Sequence, residues 1–312
     1  MDFEITGPLA VVGAGTIGQG WASLFLCRGH DVVLSDPAPG LEERFAAFHA
    51  AARESLRRIG VAGGSEGSWR VEPDPARACE GAGLVQESAL ERLEMKRELY
   101  RRMEEGLAPG TTVLSSTSGL KMSDLQADCR HPERFAVGHP FNPPHLVPLV
   151  EVVGGRLTAP ETIERAMAFY RALGTHPIHL KKEVAGHLAN RLQVALWREA
   201  VHAVESGLAS VADVDAAVAY GPGIRWAMMG PTLTFHLAGG PGGFAHFLEH
   251  LAPAAGAWWR DLGTPRLGPQ GDRAEGASQC RDQRSERLKP KTCRWSPSPC
   301  SRGHPQTSRL RR

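Results

Sequence analysis

The 312-residue chain is 42% hydrophobic and 22% charged, the make-up of a globular protein of about two domains rather than a disordered or fibrous one. Its net charge of +2 hides an asymmetry: from Thr264 onward there are 12 Lys and Arg against 4 Asp and Glu, and the preceding residues hold 24 against 30. The acidic body gives no reason to expect nucleic acid, no apolar run approaches the roughly 20 residues of a membrane span, and six cysteines without a disulfide-like framework point to a reducing cytoplasm.

Leu9–Val12 reads as a short buried strand, which leaves no room before it for a signal peptide. Gly13-Ala14-Gly15-Thr16-Ile17-Gly18 follows and opens a helix through Trp21, Leu24 and Phe25 to Gly29. A second strand runs from Asp31 to Ser35 and ends at Asp36. Residues 41–59 form an amphipathic helix, and Val61 to Ser68 a Gly-rich turn. Strands are read at Leu84–Gln86, Val113–Ser116, Phe135–Gly138, Leu149–Val153 and His176–Leu180, with helices at Glu91–Glu105 and Glu161–Leu173. This alternation argues for a Rossmann-type α/β fold, a doubly wound and mainly parallel sheet. From Val184 helical patterns take over: 184–206, 210–220, and segments around 231–239 and 243–250. The division expected is therefore a nucleotide domain over 1–182, an all-helical domain over 183–263 and a basic tail over 264–312. In the tail's 49 residues Leu267, Leu288 and Leu310 are the only Leu, Ile, Val, Phe or Met, too few to offset the entropy of ordering.

A lone G-x-G-x-x-G is weak evidence, but this one follows a strand, opens a helix and precedes an acidic residue at the end of the next strand. Gly13 permits the tight turn, Gly15 the approach of a pyrophosphate to the helix N-terminus around Thr16 and Ile17, and Gly18 close helix–strand packing. Asp36 lies where a carboxylate accepts bonds from an adenosine ribose and repels a 2′-phosphate, which favours NAD over NADP. FAD is the alternative.

His139-Pro140-Phe141-Asn142-Pro143-Pro144, with Glu151 downstream and Ser116-Thr117-Ser118 upstream, carries the chemistry. A histidine titrates in the range needed to accept an alcohol proton. A carboxylate orients it and stabilises its cation, and a hydroxyl holds the substrate oxygen. Taken alone, His139 reads more often as a structural or capping histidine, Ser118 as a turn serine and Asn190 as a satisfied helix amide. The value of each comes from the set.

With these pieces the chain resembles the 3-hydroxyacyl-CoA dehydrogenase superfamily, in the branch of lambda-crystallin (L-gulonate 3-dehydrogenase), close to bacterial L-carnitine dehydrogenases. The motifs that carry the resemblance are Gly13–Gly18, Gln86-Glu87-Ser88 with Glu91–Lys96, Ser115–Leu120, His131–Phe135, His139–Pro144, Pro148–Glu151, Lys182–Gly186, Asn190-Arg191-Leu192 and Gly223–Gly230, in family order over about residues 8–263. The resemblance implies His139 as base, Glu151 as its partner, Ser118 on the substrate oxygen and Asn190 completing the substrate site. It implies Glu91 and Lys96 near the nicotinamide-side ribose, Ser116 and Asn142 at the nicotinamide end, and a homodimer.

The substrate expected is a small 3-hydroxy acid or 3-hydroxyacyl compound, oxidised to the 3-keto product. The lysine-rich arm of the acyl-CoA enzymes is replaced by a short stretch with Arg53, Arg57 and Arg58, which disfavours a CoA headgroup without excluding it. Arg225 offers a fork for a carboxylate, with an ion pair as its bland reading. Trp226 beside it suits a trimethylammonium. Asn190, where carnitine dehydrogenases tend to carry Asp, leans away from carnitine. A 3-hydroxybutyryl-CoA dehydrogenase, an L-carnitine 3-dehydrogenase, a structural protein on the same fold, and a poorly active product with a damaged C-terminus are the alternatives. No metal site is expected; Cys280, Cys293, Cys300 and His304 in the tail have only a loose metal-like spacing.

Overall fold

The computed structural model describes residues 5–265. Leu9 and Val11 face one side of the first strand, β1 (Leu9–Val12), and Ala10 and Val12 the other, and all four are buried. A strand covered on both faces needs helices on both faces. In chain order there follow α1 (Thr16–Cys27), β2 (Val32–Ser35), α2 (Leu41–Arg58), β3 (Trp69–Val71), α3 (Pro75–Cys79), β4 (Leu84–Glu87), α4 (Leu93–Gly106), β5 (Thr112–Ser115) and α5 (Met122–Leu125). Then come β6 (Phe135–Pro140), β7 (Leu149–Gly154), α6 (Pro160–Ala172) and β8 (His176–His179). The order across the eight-stranded sheet is β3-β2-β1-β4-β5-β6-β7-β8. All neighbours are parallel except β6 and β7.

One face of the sheet holds Leu9, Val11, Trp21, Phe25, Phe45 and Phe169, and the other Ala10, Val12, Tyr100, Met103, Phe135 and Val137. The strand order reverses at β1, with β2 on one side and β4 on the other. A crevice is therefore expected beyond the C-terminal ends of β1 and β4. The doubly wound, mainly parallel sheet is as the sequence predicts. The short elements β3, α3 and α5 are not in the sequence reading, because three to five residues carry too little periodicity to be seen.

Contacts divide the chain into two units, Met1–Gln193 and Val194–Arg312, so the division falls within α7 (Ala189–Glu205). The described part of the second unit continues with α8 (Val211–Tyr220), α9 (Pro222–Trp226), α10 (Pro231–Ala238) and α11 (Gly243–Asp261). The last helix runs 11 residues past the segment read from the sequence, carrying Pro253 within it. Phe247 is the one large apolar side chain buried among the described residues of this unit. The sequence readings on 266–312, including the cysteines and His304, lie outside the described residues. Among the described residues no helix is long and apolar enough to cross a membrane.

Candidate active site

The glycine loop leaves β1 and enters α1. Gly13 has φ +92, and a Cβ there would stand 2.5 Å from the backbone nitrogen of Ala89. A Cβ on Gly18 would stand 1.9 Å from the Gly13 carbonyl oxygen, so α1 packs against the turn only with hydrogen there. Gly15 differs: a Cβ on it would meet nothing within 4 Å. It lies at the mouth of the crevice as the N-cap of α1, and no side chain caps that helix. Uncapped N–H groups at the start of a 12-residue helix, beside an open glycine, fit a pyrophosphate. Thr16 and Ile17 form the first turn.

Asp36 follows β2 and ties the loop together. Its Oδ2 accepts from Ala14 N at 2.8 Å and its Oδ1 from Ala38 N at 2.9 Å. Each carboxylate oxygen has a second lone-pair direction, which leaves room for ribose hydroxyls.

The antiparallel pairing of β6 with β7 explains the 12-residue spacing of His139 and Glu151: they are cross-strand partners in the ladder. His139 Nδ1 lies 2.9 Å from Glu151 Oε2, and the side chains are 5% and 0% exposed. A carboxylate only accepts, so Nδ1 carries the hydrogen and Nε2 keeps its lone pair. That nitrogen makes no hydrogen bond among the described residues. Glu151 Oε1 accepts from the backbone N–H groups of Leu188 and Ala189, at 2.9 and 2.8 Å, where α7 begins. Burial raises the Glu151 carboxyl, but the bonds from His139, Ala189 and Leu188 outweigh it and hold the group below its ordinary value. Asn190 is the next residue of that first turn, half-buried.

Ser118 is exposed, and its hydroxyl makes no hydrogen bond among the described residues. Its backbone is fixed by Glu91, whose Oε1 accepts from Ser118 N, Gly119 N and Thr117 Oγ1 at 2.9, 3.0 and 2.6 Å. Burial acts to raise the Glu91 carboxyl, and the bonds from Thr117 and its neighbours with the nearby Lys96 lower it on balance. Asn142 is exposed in the segment after β6.

Two further residues of the expected cofactor site are held by partners within the protein. Lys96 is 1% exposed, and its Nζ donates to Glu87 Oε1 at 2.5 Å and to Ala89 O at 3.2 Å. Its ammonium forms a buried ion pair beneath the crevice, with Glu91 Oε2 3.8 Å away. Ser116 Oγ lies within 3.3 Å of Trp21 Nε1, 2.9 Å of Gln86 Nε2 and 2.8 Å of Ser88 Oγ. Two donors fill its lone pairs and Ser88 faces its remaining capacity, so in this arrangement it braces the crevice floor.

Three groups at the site are given no role by the sequence reading. Glu87 is fully buried and joins Lys96, Ala89 N, Tyr100 and Ser115. Tyr170, buried on α6, donates to Gln86 Oε1 at 2.7 Å and also occupies the space a Cβ on Gly138 would need. His187, buried between Gly186 and Leu188, packs with its ring centroid 5.0 Å from that of His139. The consecutive polar residues Gln86-Glu87 inside a fully buried strand are a signal that was available. Arg225 and Trp226 belong to α9 of the second unit, both exposed. On α11, His246, Glu249 and His250 bring metal-capable atoms within 4.8 Å of one another, all on exposed side chains.

The chain is similar to known proteins over most of its length. Residues 8–184 match the 3-hydroxyacyl-CoA dehydrogenase NAD binding domain, and residues 186–263 match the 3-hydroxyacyl-CoA dehydrogenase C-terminal domain. An L-carnitine dehydrogenase of Streptomyces griseus is 49% identical over 260 residues, covering 83% of this chain and 78% of that protein. One from Pseudomonas aeruginosa is 46% identical over 259 residues, covering 83% and 81%. Among solved structures, an NAD+-dependent dismutase, 5-formyl-3-hydroxy-2-methylpyridine 4-carboxylic acid 5-dehydrogenase, superposes with a TM-score of 0.77 at 30% identity, covering 91% of this chain and 96% of that one. The 3-hydroxybutyryl-CoA dehydrogenase of Escherichia coli gives a TM-score of 0.63 at 28% identity, covering 84% and 54%. The glycine loop, the cross-strand His–Glu pair and these matches together make the chain a member of the 3-hydroxyacyl-CoA dehydrogenase family, an NAD-dependent oxidoreductase acting on the 3-hydroxyl of a small substrate.

Proposed function

We propose that this chain oxidises the 3-hydroxyl of a free 3-hydroxy acid, with L-carnitine as the first substrate to test, and that His139 is its base. The observation that carries the reading is the buried His139–Glu151 pair, with Nε2 left to meet a substrate hydroxyl. NAD supplies the hydride acceptor when bound; Gly13, Gly15, Thr16, Ile17, Gly18 and Asp36 hold its adenosine and pyrophosphate end, with Asn142 toward the nicotinamide. His139 takes the hydroxyl proton at Nε2, and Glu151 stabilises the resulting imidazolium. Ser118 donates to the substrate oxygen and Asn190 holds the substrate beside it. Glu91 acts through the loop: its carboxylate fixes the backbone of Ser118. Lys96 and Ser116 act from beneath, by holding Glu87, Gln86 and Ser88 in place.

The free-acid reading is supported by the relatives that act on L-carnitine. It is also supported by α2, where Arg57 and Arg58 pair with Glu54 and Arg53 pairs with Glu66. Arg225 is assigned to the substrate carboxylate and Trp226 to a trimethylammonium group. The test is NAD reduction with L-carnitine, 3-hydroxybutyrate and 3-hydroxybutyryl-CoA. A preference for the thioester over every free acid refutes the substrate assignment and leaves the family intact.

We further propose functional boundaries at 1–182, 183–263 and 264–312, a homodimer, and a cytoplasmic location. The dimer is supported by the apolar side chains that the second unit leaves exposed, among them Trp197, Leu208, Met228, Trp258 and Trp259 at 52, 78, 81, 62 and 76%. The described thiols, Cys27, Cys79 and Cys129, are free, which suits a reducing compartment. Light scattering on the purified full chain tests the dimer; a monomer across the micromolar range refutes it.

A further inference from the structure

His187 is the one described residue other than glycine with a positive φ, +49. A side chain bearing a Cβ is held in that region only where its surroundings over-determine it. Here the surroundings are the reacting centre. Nε2 of His187 lies 3.0 Å from the carbonyl oxygen of Thr117, the residue before Ser118. The ring packs against that of His139 with centroids 5.0 Å apart and planes tilted by 43°. The next two residues, Leu188 and Ala189, give their N–H groups to Glu151. The left-handed turn thus sets one imidazole between the base and the serine loop, 3% exposed.

The chemistry of the two ring nitrogens follows from their neighbours. A carbonyl oxygen only accepts, so Nε2 carries a hydrogen. Burial holds the pKa of His187 below its ordinary 6.5, and His139 adds to this against the opposing pull of Thr117, Glu151 and Glu91. The ring is therefore neutral through the working range, and Nδ1 is a bare lone pair. That atom is buried with no hydrogen-bond partner. A buried acceptor without a donor costs free energy that a ligand hydrogen recovers, and a site built this way discriminates against ligands lacking that hydrogen.

We propose that His187 is a specificity-determining residue whose Nδ1 accepts a hydrogen bond from an O–H or N–H group of the bound ligand. The hydroxyl hydrogen of a 3-hydroxy acid goes to His139 Nε2 in the proposed mechanism, so the donor assigned to His187 Nδ1 is the N–H of the cofactor's nicotinamide carboxamide. An anionic group at that position is disfavoured, since lone pair would meet lone pair. The inference rests on the reading of His139 and Ser118 as the reacting centre and adds a residue to it.

Three variants separate this role from a structural one. Asn places its amide near the position of Nδ1 and tolerates positive φ. Gln reaches the position of Nε2 and keeps the link to Thr117, and Phe keeps the ring without either nitrogen. Two dissociation constants are measured on the full chain: NADH by fluorescence, and L-carnitine and 3-hydroxybutyrate by calorimetry on the enzyme–NADH complex. Thermal melts check folding. His187→Gln and His187→Phe should weaken NADH about tenfold, the worth of one hydrogen bond, and His187→Asn should stay within about threefold of wild type. A loss confined to NADH identifies the carboxamide as donor, and a loss confined to the acids overturns that assignment. Wild-type binding by Gln with losses in Asn and Phe overturns the proposal, because the residue is then only a strut to Thr117. Equal losses in Asn and Gln, or no loss in Gln and Phe, overturn it as well. If Phe fails to fold, Asn against Gln still decides. If neither acid binds the wild-type protein, the substrate assignment fails and the NADH comparison alone judges His187.

Discussion

Replacing Glu151 by Gln tests the centre of the mechanism with little change of shape. The amide carbonyl still accepts from Leu188 and Ala189, whose N–H groups now reach Oε1 at 2.9 and 2.8 Å, so the start of α7 keeps its anchor. The amide nitrogen then faces His139 Nδ1, where a carboxylate oxygen stood at 2.9 Å. A donor at that place favours the tautomer with hydrogen on Nε2, and the lone pair that takes the substrate proton is lost. The variant also loses the charge that stabilises the imidazolium. Unit charges about 4 Å apart at an effective dielectric constant near 20 interact by about 4 kcal/mol, which corresponds to roughly 10³ in rate. The expected result is a fall in kcat of about 10²–10⁴, read from NADH formation with the substrate that turns over fastest. NADH binding should stay within about twofold, because the pyrophosphate loop lies on β1 and α1. A folded Glu151→Gln protein with kcat within tenfold of wild type refutes the assignment of His139 and Glu151.

Four further outcomes are expected. NAD should be preferred over NADP by at least about tenfold, or roughly 1.4 kcal/mol, and equal use of NADP removes Asp36 from the ribose. Gly15→Ala should raise the KM for NAD with an unchanged melting temperature, whereas Gly18→Ala should destabilise the fold, since its Cβ would collide with the Gly13 carbonyl at 1.9 Å; the reverse pattern contradicts the loop's assigned role. Arg225→Met should raise KM for free acids far more than for their neutral esters, and equal effects on both refute the carboxylate clamp. With a folded-state pKa below 4.5, Glu151 stabilises the protein fully above about pH 4.5 and loses that contribution as pH falls through the folded value; Glu151→Gln should flatten the acid limb of the melting curve, and a superimposable limb contradicts this.

Much of the fold was legible because its signals are local. Leu9–Val12, the glycine loop and Asp36 lie within about 30 residues, and each step has a sequence signature. The His139–Glu151 pair was legible through chemistry and resemblance, but its geometry was not: the twelve-residue spacing has meaning only once β7 turns back along β6. The internal partners of Lys96 and Ser116 were hidden for a related reason. Motif spacing puts both at the crevice, yet whether a side chain faces the ligand or the floor depends on neighbours 9 to 95 residues away, Glu87 for the lysine and Trp21 for the serine. His187 carries no motif at all. Its interest comes from a backbone angle and an unmet lone pair, and neither can be read from the letters Gly-His-Leu-Ala.

The polar groups around the crevice fall into two kinds, and the division fits the proposed chemistry. Glu87, Glu91, Glu151, Gln86 and Ser116 are held by two or more partners each, so their geometry is fixed before any ligand arrives. His139 Nε2, the Ser118 hydroxyl and His187 Nδ1 have none among the described residues. Catalysis by preorganisation needs this contrast, since a donor or acceptor already turned toward the reacting atoms costs no reorientation in the transition state. The carboxylates pair with groups of the protein, which suits the proposed acid substrate by keeping negative charge occupied. The same arrangement ties α7 to the base through Glu151, so the chain leaves the nucleotide domain at the residues that orient His139. A change where α7 begins, at Leu188 or Ala189, is therefore expected to act on the His139–Glu151 pair without touching the cofactor loop.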